Sequence, residues 1–220
     1  WANRHDALNT YLSSVEAADI AKTWAVGAGP LVIADYADNP GAGAYGDGTN
    51  LLAALIDAGV QNACFGPMID PDAAAFLNNQ TIGAKVTLDI GGATAPDIGG
   101  GPLRVTGTVK WTGDGRVVGS GPMMQGLTRD FGATAVLDVD GIEILIVTLP
   151  HQMLDLHQFE TFGIDPALKS VVALKSMQHF RAAFTPIAGR IIVCDSGALC
   201  TLDYGSLGYK NVRRPMFPLD

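Results

Sequence analysis

The sequence predicts an α/β protein: a mixed sheet with an N-terminal parallel β-α-β-α unit, flanking helices and an antiparallel β section in the middle. Three observations predict it. Short apolar runs bounded by glycine or proline, such as Pro30-Leu31-Val32-Ile33-Ala34, read as buried strands. Early in the chain these runs alternate with segments whose leucines recur at helical spacing, which makes successive strands parallel. From Lys85 to Thr148 the pattern changes to apolar-polar alternation punctuated by glycine, as in antiparallel sheets.

In chain order, residues 4–24 carry a helical pattern broken near Ser13-Ser14, with Ser14 capping a second helix through Glu16 to Ala21. Leu31 to Ala34 is a strand, and Asn50 to Ala58 a helix that Gly59 stops. Asn62 to Ile69 is the second strand. Asp70-Pro71 starts a short helix to Asn78, with aspartate as cap and proline at the first helical position. Lys85 to Ile90 and Leu103 to Trp111 alternate, and Gly113-Asp114-Gly115 turns the chain back into Arg116-Val117-Val118. Ala133 to Asp138 and Ile142 to Thr148 flank Asp140-Gly141, a two-residue hairpin signal. Helical spacing returns at Leu154 to Phe162, followed by strands at Ser170 to Leu174 and Ile191 to Cys194 and an irregular tail.

With 220 residues, 48% of them hydrophobic, the chain can bury a core as a single domain spanning residues 1–220. A net charge of −8 and a pI near 4.8 argue against nucleic acid and anionic membrane surfaces as partners. No apolar run reaches the ~20 residues a membrane-spanning helix needs. The three cysteines lack CxxC spacing, which predicts free thiols in a reducing compartment, the cytoplasm. The chain opens at Trp1 with an amphipathic pattern already under way at Leu8, Leu12 and Val15, as expected inside a longer polypeptide.

Chemistry concentrates first in the strand-to-helix turn Asp35 to Thr49. It holds Asp35, Asp38, Asn39 and Asp47 among the glycines 41, 43, 46 and 48, with no basic residue. In open α/β sheets such turns lie at the carboxyl ends of the strands, where ligands bind. Gly41 to Gly46 spells GxGxxG and also has Walker A spacing, but the Walker lysine position holds Asp47, which would repel a phosphate. The dinucleotide motif needs its first glycine at the strand end, and Tyr36 to Pro40 intervene. Asp47 or Thr49 as a helix cap would explain one acid. The remaining carboxylates call for a neutralising partner: a metal, an arginine or a substrate ammonium.

Lys175, Ser176, His179 and Arg181 gather just past the strand at Val171 to Leu174. If that strand is parallel to the first, the basic segment and the acidic turn share one sheet edge, either as a site or as a structural ion-pair network. His5 and His157 fall on helix surfaces and His151 follows Pro150. Neither HExxH nor HxH nor GxSxG occurs, so no zinc site or serine nucleophile can be written from these residues.

Gly29-Pro30-Leu31-Val32-Ile33-Ala34-Asp35, Asp38-Asn39-Pro40-Gly41-x-Gly43 and Gly46-Asp47-Gly48-Thr49 resemble the C-terminal domain of the MlrC-like metallopeptidases, the microcystin-degradation family. The likeness continues through Asp70-Pro71, Gly91-Gly92, Lys175-Ser176-x-x-His179-Phe180-Arg181-Ala182 and Arg214-Pro215-x-x-Pro218-Leu219-Asp220. One departure is Gly41-Ala42-Gly43, where the family often has three glycines. The resemblance implies a zinc-dependent amide or peptide hydrolase built from two halves. Its metal ligands would lie in an N-terminal domain of the same polypeptide, outside this chain, and this chain alone would be inactive.

On that resemblance the chain walls the cleft for a peptide or small amide substrate. Asp38, Asn39 and His179 are the catalytic candidates. Gly41, Gly43, Gly46, Asp47, Lys175 and Arg181 are the substrate-binding candidates. Two alternatives come from other classes: a nucleotide- or small-molecule-binding module using the glycine turn, and a non-catalytic interaction domain whose acids and bases are structural.

Overall fold

The computed structural model describes residue 2, residues 11–25, residue 27 and residues 29–220. Among these residues eight strands form one mixed sheet: β1 Leu31–Asp35, β2 Ala63–Ile69, β3 Lys85–Ile90, β4 Leu103–Val118, β5 Thr128–Val139, β6 Ile142–Val147, β7 Val171–Lys175 and β8 Arg190–Cys194. Among the described residues five α-helices accompany them: α1 Ser14–Lys22, α2 Asn50–Asp57, α3 Pro71–Asn78, α4 His157–Glu160 and α5 Arg181–Phe184. The strand order is β3-β4-β5-β6-β2-β7-β1-β8. From β6 to β8 all pairings are parallel, and from β3 to β6 all are antiparallel. The mixed α/β architecture expected from the sequence is therefore the one observed.

Alternate residues of the parallel strands serve two cores. Leu31, Ile33, Ala63, Phe65, Val171 and Ala173 pack with α1, α2 and α3 through Ala17, Leu51, Leu52, Leu55 and Leu77. Val32, Ala34, Cys64, Val172 and Leu174 pack on the opposite face with Phe131, Phe159, Phe180 and Phe184. Burial on both faces is why β1 and β7 read as unbroken apolar runs.

Several local expectations hold. Asp70 caps α3 by accepting from Ala73 N at 2.9 Å, and Pro71 opens the helix. Asp140 (φ 50°) and Gly141 (φ 87°) join β5 to β6, with Val139 opposite Ile142.

Others are corrected. Gly113-Asp114-Gly115 is no turn: β4 runs through it, paired with β5, and a register shift between Asp114 and Arg116 absorbs the irregularity. The first helix is capped by Ser13 rather than Ser14, in a capping box with Glu16, and Leu12 makes an isolated parallel bridge to Cys194. The part of that helical pattern at residues 4–10, and His5 with it, lies outside the described residues. The helical spacing at Leu154 to Phe162 yields only the single turn α4: Gln158 Oε1 takes the N–H groups of Leu154 and Asp155 at 2.6 and 2.8 Å before it, and Gly163 at φ +80° follows it.

Candidate functional site

β1 and β7 are adjacent and parallel, so the acidic turn and the basic segment leave the sheet side by side, with Asp35 opposite Lys175. Strand parity places both on the α1–α3 face, with Leu31, Ile33, Val171 and Ala173. Lys175 is fully buried. Its ammonium pairs with Asp38 Oδ2, donates to the Gly48 carbonyl at 2.8 Å and lies 5.1 Å from the centre of the Phe65 ring. The backbone N–H groups of Gly46 and Gly48 donate to Asp38 Oδ1 and Oδ2, each at 2.8 Å. Asp38 thus finds its counter-charge inside the chain, in a lysine 137 positions away in sequence.

Asp35 accepts from Ser196 Oγ at 2.8 Å and from Asp38 N at 3.4 Å. Burial is the main force on its carboxyl and raises its pKa; Asp38 adds to the rise, Lys175 opposes it, and the net is a value of about 6. Asn39 Oδ1 accepts from Gly41 N at 3.0 Å, opening a short 3-10 turn at Pro40–Ala42. Gly43 closes that turn at φ +96°, its N–H donating to the Pro40 carbonyl at 3.1 Å. Asp47 is buried; its Oδ2 accepts from Thr94 N at 2.9 Å and its carbonyl from Gly92 N at 2.6 Å.

The N–H groups of Gly41, Gly43, Gly46 and Gly48 are thus engaged within the turn, and those at 46 and 48 hold a carboxylate where a phosphate loop would hold phosphate. Capping of α2 also differs from expectation. Neither Asp47 nor Thr49 caps it with a side chain: the Gly99 carbonyl accepts from Thr49 N at 2.8 Å and Asn50 N at 2.9 Å. Thr49 Oγ1 instead donates to the Gly101 carbonyl at 2.7 Å. The glycine-rich run after β3 therefore folds over the turn as a second layer.

His179 is exposed on the bend between β7 and α5. Arg181 is half-buried; its Nε donates to Gln178 Oε1 at 2.9 Å and its guanidinium lies 5.3 Å from the Phe180 ring. Of the basic segment, Lys175 joins the acids, while Arg181 forms no ion pair among the described residues.

A cavity of about 240 Å³ opens beside the turn, lined by Pro40, Gly41, Met124, Arg129, Pro150, His151, Gln152, Leu154 and Gln158. Gln152 ties it to the sheet edge: its Nε2 donates to Ser176 Oγ at 3.1 Å, and a Cβ at position 41 would sit 2.3 Å from its Oε1. The sequence marks neither Arg129 nor Gln152 as special, since both fall in stretches whose pattern is that of a solvated strand or a loop. His151 stands there through stacking on Phe131, centroids 4.5 Å apart, and a 2.7 Å hydrogen bond between Nε2 and the Asp130 carbonyl.

Among the described residues no three or more His, Cys, Asp or Glu side chains are grouped to hold a metal ion. Cys64 and Cys194 are buried free thiols whose pKa burial pushes well above the usual range, so neither supplies a thiolate.

Three comparisons bear on this edge. The family model described as MlrC C-terminus matches residues 33–211. Microcystinase C of Sphingomonas sp. is 30% identical over 204 residues, which is 93% of this chain and 38% of that protein. The crystal structure of a candidate metallopeptidase from Mesorhizobium sp. BNC1 superposes with a TM-score of 0.86 at 26% identity, covering 100% of this chain and 43% of that one. The chain thus spans less than half the length of either relative. With the acidic turn, the basic segment and all of the sheet but the first two residues of β1 inside the matched region, this chain belongs to the MlrC C-terminal domain family.

Proposed function

We propose that this chain is the C-terminal domain of an MlrC-like metallopeptidase that hydrolyses amide or peptide bonds, and that it walls the active-site cleft. The observation that carries the proposal is the family match from residue 33, within β1, to residue 211, beyond β8, which includes the carboxyl ends of all the parallel strands. The described residues do not fit a resident zinc ion. Asp38 is already held by an ammonium and two N–H groups, Asp47 by Thr94, and Asp35 is a buried carboxyl shifted towards its neutral form. The metal ligands are accordingly assigned to an N-terminal domain of the same polypeptide, with residues 1–220 as its single C-terminal unit. A cytoplasmic location, suited to three free cysteines, belongs to the same proposal.

Within this proposal the site residues divide by exposure. Asp38, Asn39, Gly46, Asp47 and Lys175 are buried and set the shape of the turn. Gly41 and Gly43, exposed on either side of Ala42 at the 3-10 turn, offer backbone without a side chain of their own, and His179 and Arg181 supply polar groups at the rim. The interaction-domain alternative makes the same buried contacts but predicts no effect of the rim on turnover.

The test compares this chain with a polypeptide of its relatives' length. Peptide hydrolysis is expected from the longer polypeptide and abolished by a chelator, with none from this chain plus zinc. Peptide hydrolysis by this chain alone at a comparable rate would overturn the division of labour.

A further inference from the structure

The cavity beside the acidic turn holds an unusual combination for so acidic a protein. Arg129 is exposed, and no carboxylate among the described residues lies within ion-pair distance of it. Around it stand Gln152, whose amide nitrogen is held by Ser176, and the apolar side chains of Met124 and Leu154. Gln158 fixes the wall by donating from Nε2 to the Gln152 carbonyl at 3.0 Å while its Oε1 takes the N–H groups of Leu154 and Asp155. Gln152 Oε1 itself accepts no hydrogen bond among the described residues, and it packs so close to Gly41 that a Cβ there would displace it.

A free guanidinium recognises a carboxylate, bidentately where geometry allows. An amide oxygen held without a donor recognises an N–H. The two together, beside an apolar patch, match the last residue of a peptide: its carboxylate, its own amide N–H and its side chain. At about 240 Å³ the cavity falls below the ~300–1,000 Å³ of pockets that enclose a whole small ligand, so it suits one end of a longer one. The overall negative charge does not forbid this, because at physiological salt charges beyond ~8 Å are largely screened.

We infer that this cavity is a subsite for the C-terminal residue of a peptide, with Arg129 taking the carboxylate, Gln152 Oε1 the amide N–H, and Met124 and Leu154 the side chain. As a substrate subsite it rests on the function proposed above; as a binding site it rests on the cavity alone.

The test titrates this chain with N-acetyl-glycyl-leucine and with the same compound amidated at its C-terminus, following NMR chemical shifts. The free acid is expected to bind at least tenfold more tightly than the amide. Arg129→Gln is expected to remove that preference and Arg129→Lys to retain part of it, with unchanged thermal midpoints because the side chain is exposed. Equal binding of acid and amide, or a preference that survives Arg129→Gln, would overturn the assignment. If the longer polypeptide cleaves peptides while this chain shows no preference, the subsite fails and the proposed function stands. If this chain shows the preference while the longer polypeptide leaves peptides intact, the carboxylate site stands and its role as a substrate subsite falls.

Discussion

At Lys175 an ammonium group sits where no solvent reaches it, and its partner carboxylate is held by two further N–H donors. Removing one member of such a pair strands a buried charge, which costs about 3–5 kcal/mol, whereas replacing both members costs far less. Lys175→Met should therefore lower unfolding free energy in urea by about that amount, and adding Asp38→Asn should recover part of the loss. A Lys175→Met protein as stable as the parent would show that Asp38 is neutralised in some other way. Asp35 makes a separate prediction. Its folded pKa is raised from 3.8 to about 6, so the folded state holds the proton more tightly than the unfolded chain does. The stability it contributes is full below about pH 4 and is lost as pH rises through about 6. Asp35→Asn keeps an acceptor for Ser196 and removes the titration, so stability curves measured between those pH values should flatten by up to ~1.4 kcal/mol per pH unit.

The acidic turn, taken as an element, depends on two glycines for different reasons. Both occupy the left-handed region, Gly43 at φ +96° and Gly46 at φ +73°. A Cβ at Gly43 would meet nothing within 4 Å among the described residues, whereas one at Gly46 would sit 2.4 Å from Ile69 Cδ1 and 2.7 Å from Pro40 Cγ. Gly43→Ala should thus cost about 1 kcal/mol of backbone strain, and Gly46→Ala about 2–4 kcal/mol once overpacking is added. Chemical denaturation of the two variants measures the difference directly; equal losses would mean that Ile69 swings aside freely. The hairpin at Asp140-Gly141 shows the opposite case, an element whose geometry its own two residues dictate.

For the whole molecule, position in the sheet sets local stability. β7 is buried along its full length and bonded on both sides, by β1 and β2, while among the described residues β3 and β8 are the edge strands, β8 with the single Leu12 bridge beyond it. Hydrogen exchange should be slowest in β7 and its neighbours and faster in β3 and β8. Exchange in β7 as fast as in β3 would mean that the carboxyl edge opens independently of the core. Since the acidic turn is anchored to β7 through Lys175, the same experiment on Lys175→Met should show the turn's amides losing protection.

Much of this was legible in the sequence because it arises from neighbours along the chain. The buried runs of β1, β2 and β7, the Asp70-Pro71 helix start and the β5–β6 hairpin each come from a few consecutive residues. The family could likewise be named from short motifs, and the family model bears that out. What the tertiary structure alone decided is pairing between distant segments. It inserted β7 between β1 and β2, kept β4 continuous through three residues that resemble a turn, capped α2 with the carbonyl of Gly99, and chose Lys175 as the counter-ion of Asp38. It also brought Arg129 and Gln152 to the edge where Gly41 turns. Local propensity is a property of each segment, but a partner is settled only when the whole chain competes to bury its apolar faces and satisfy its buried charges.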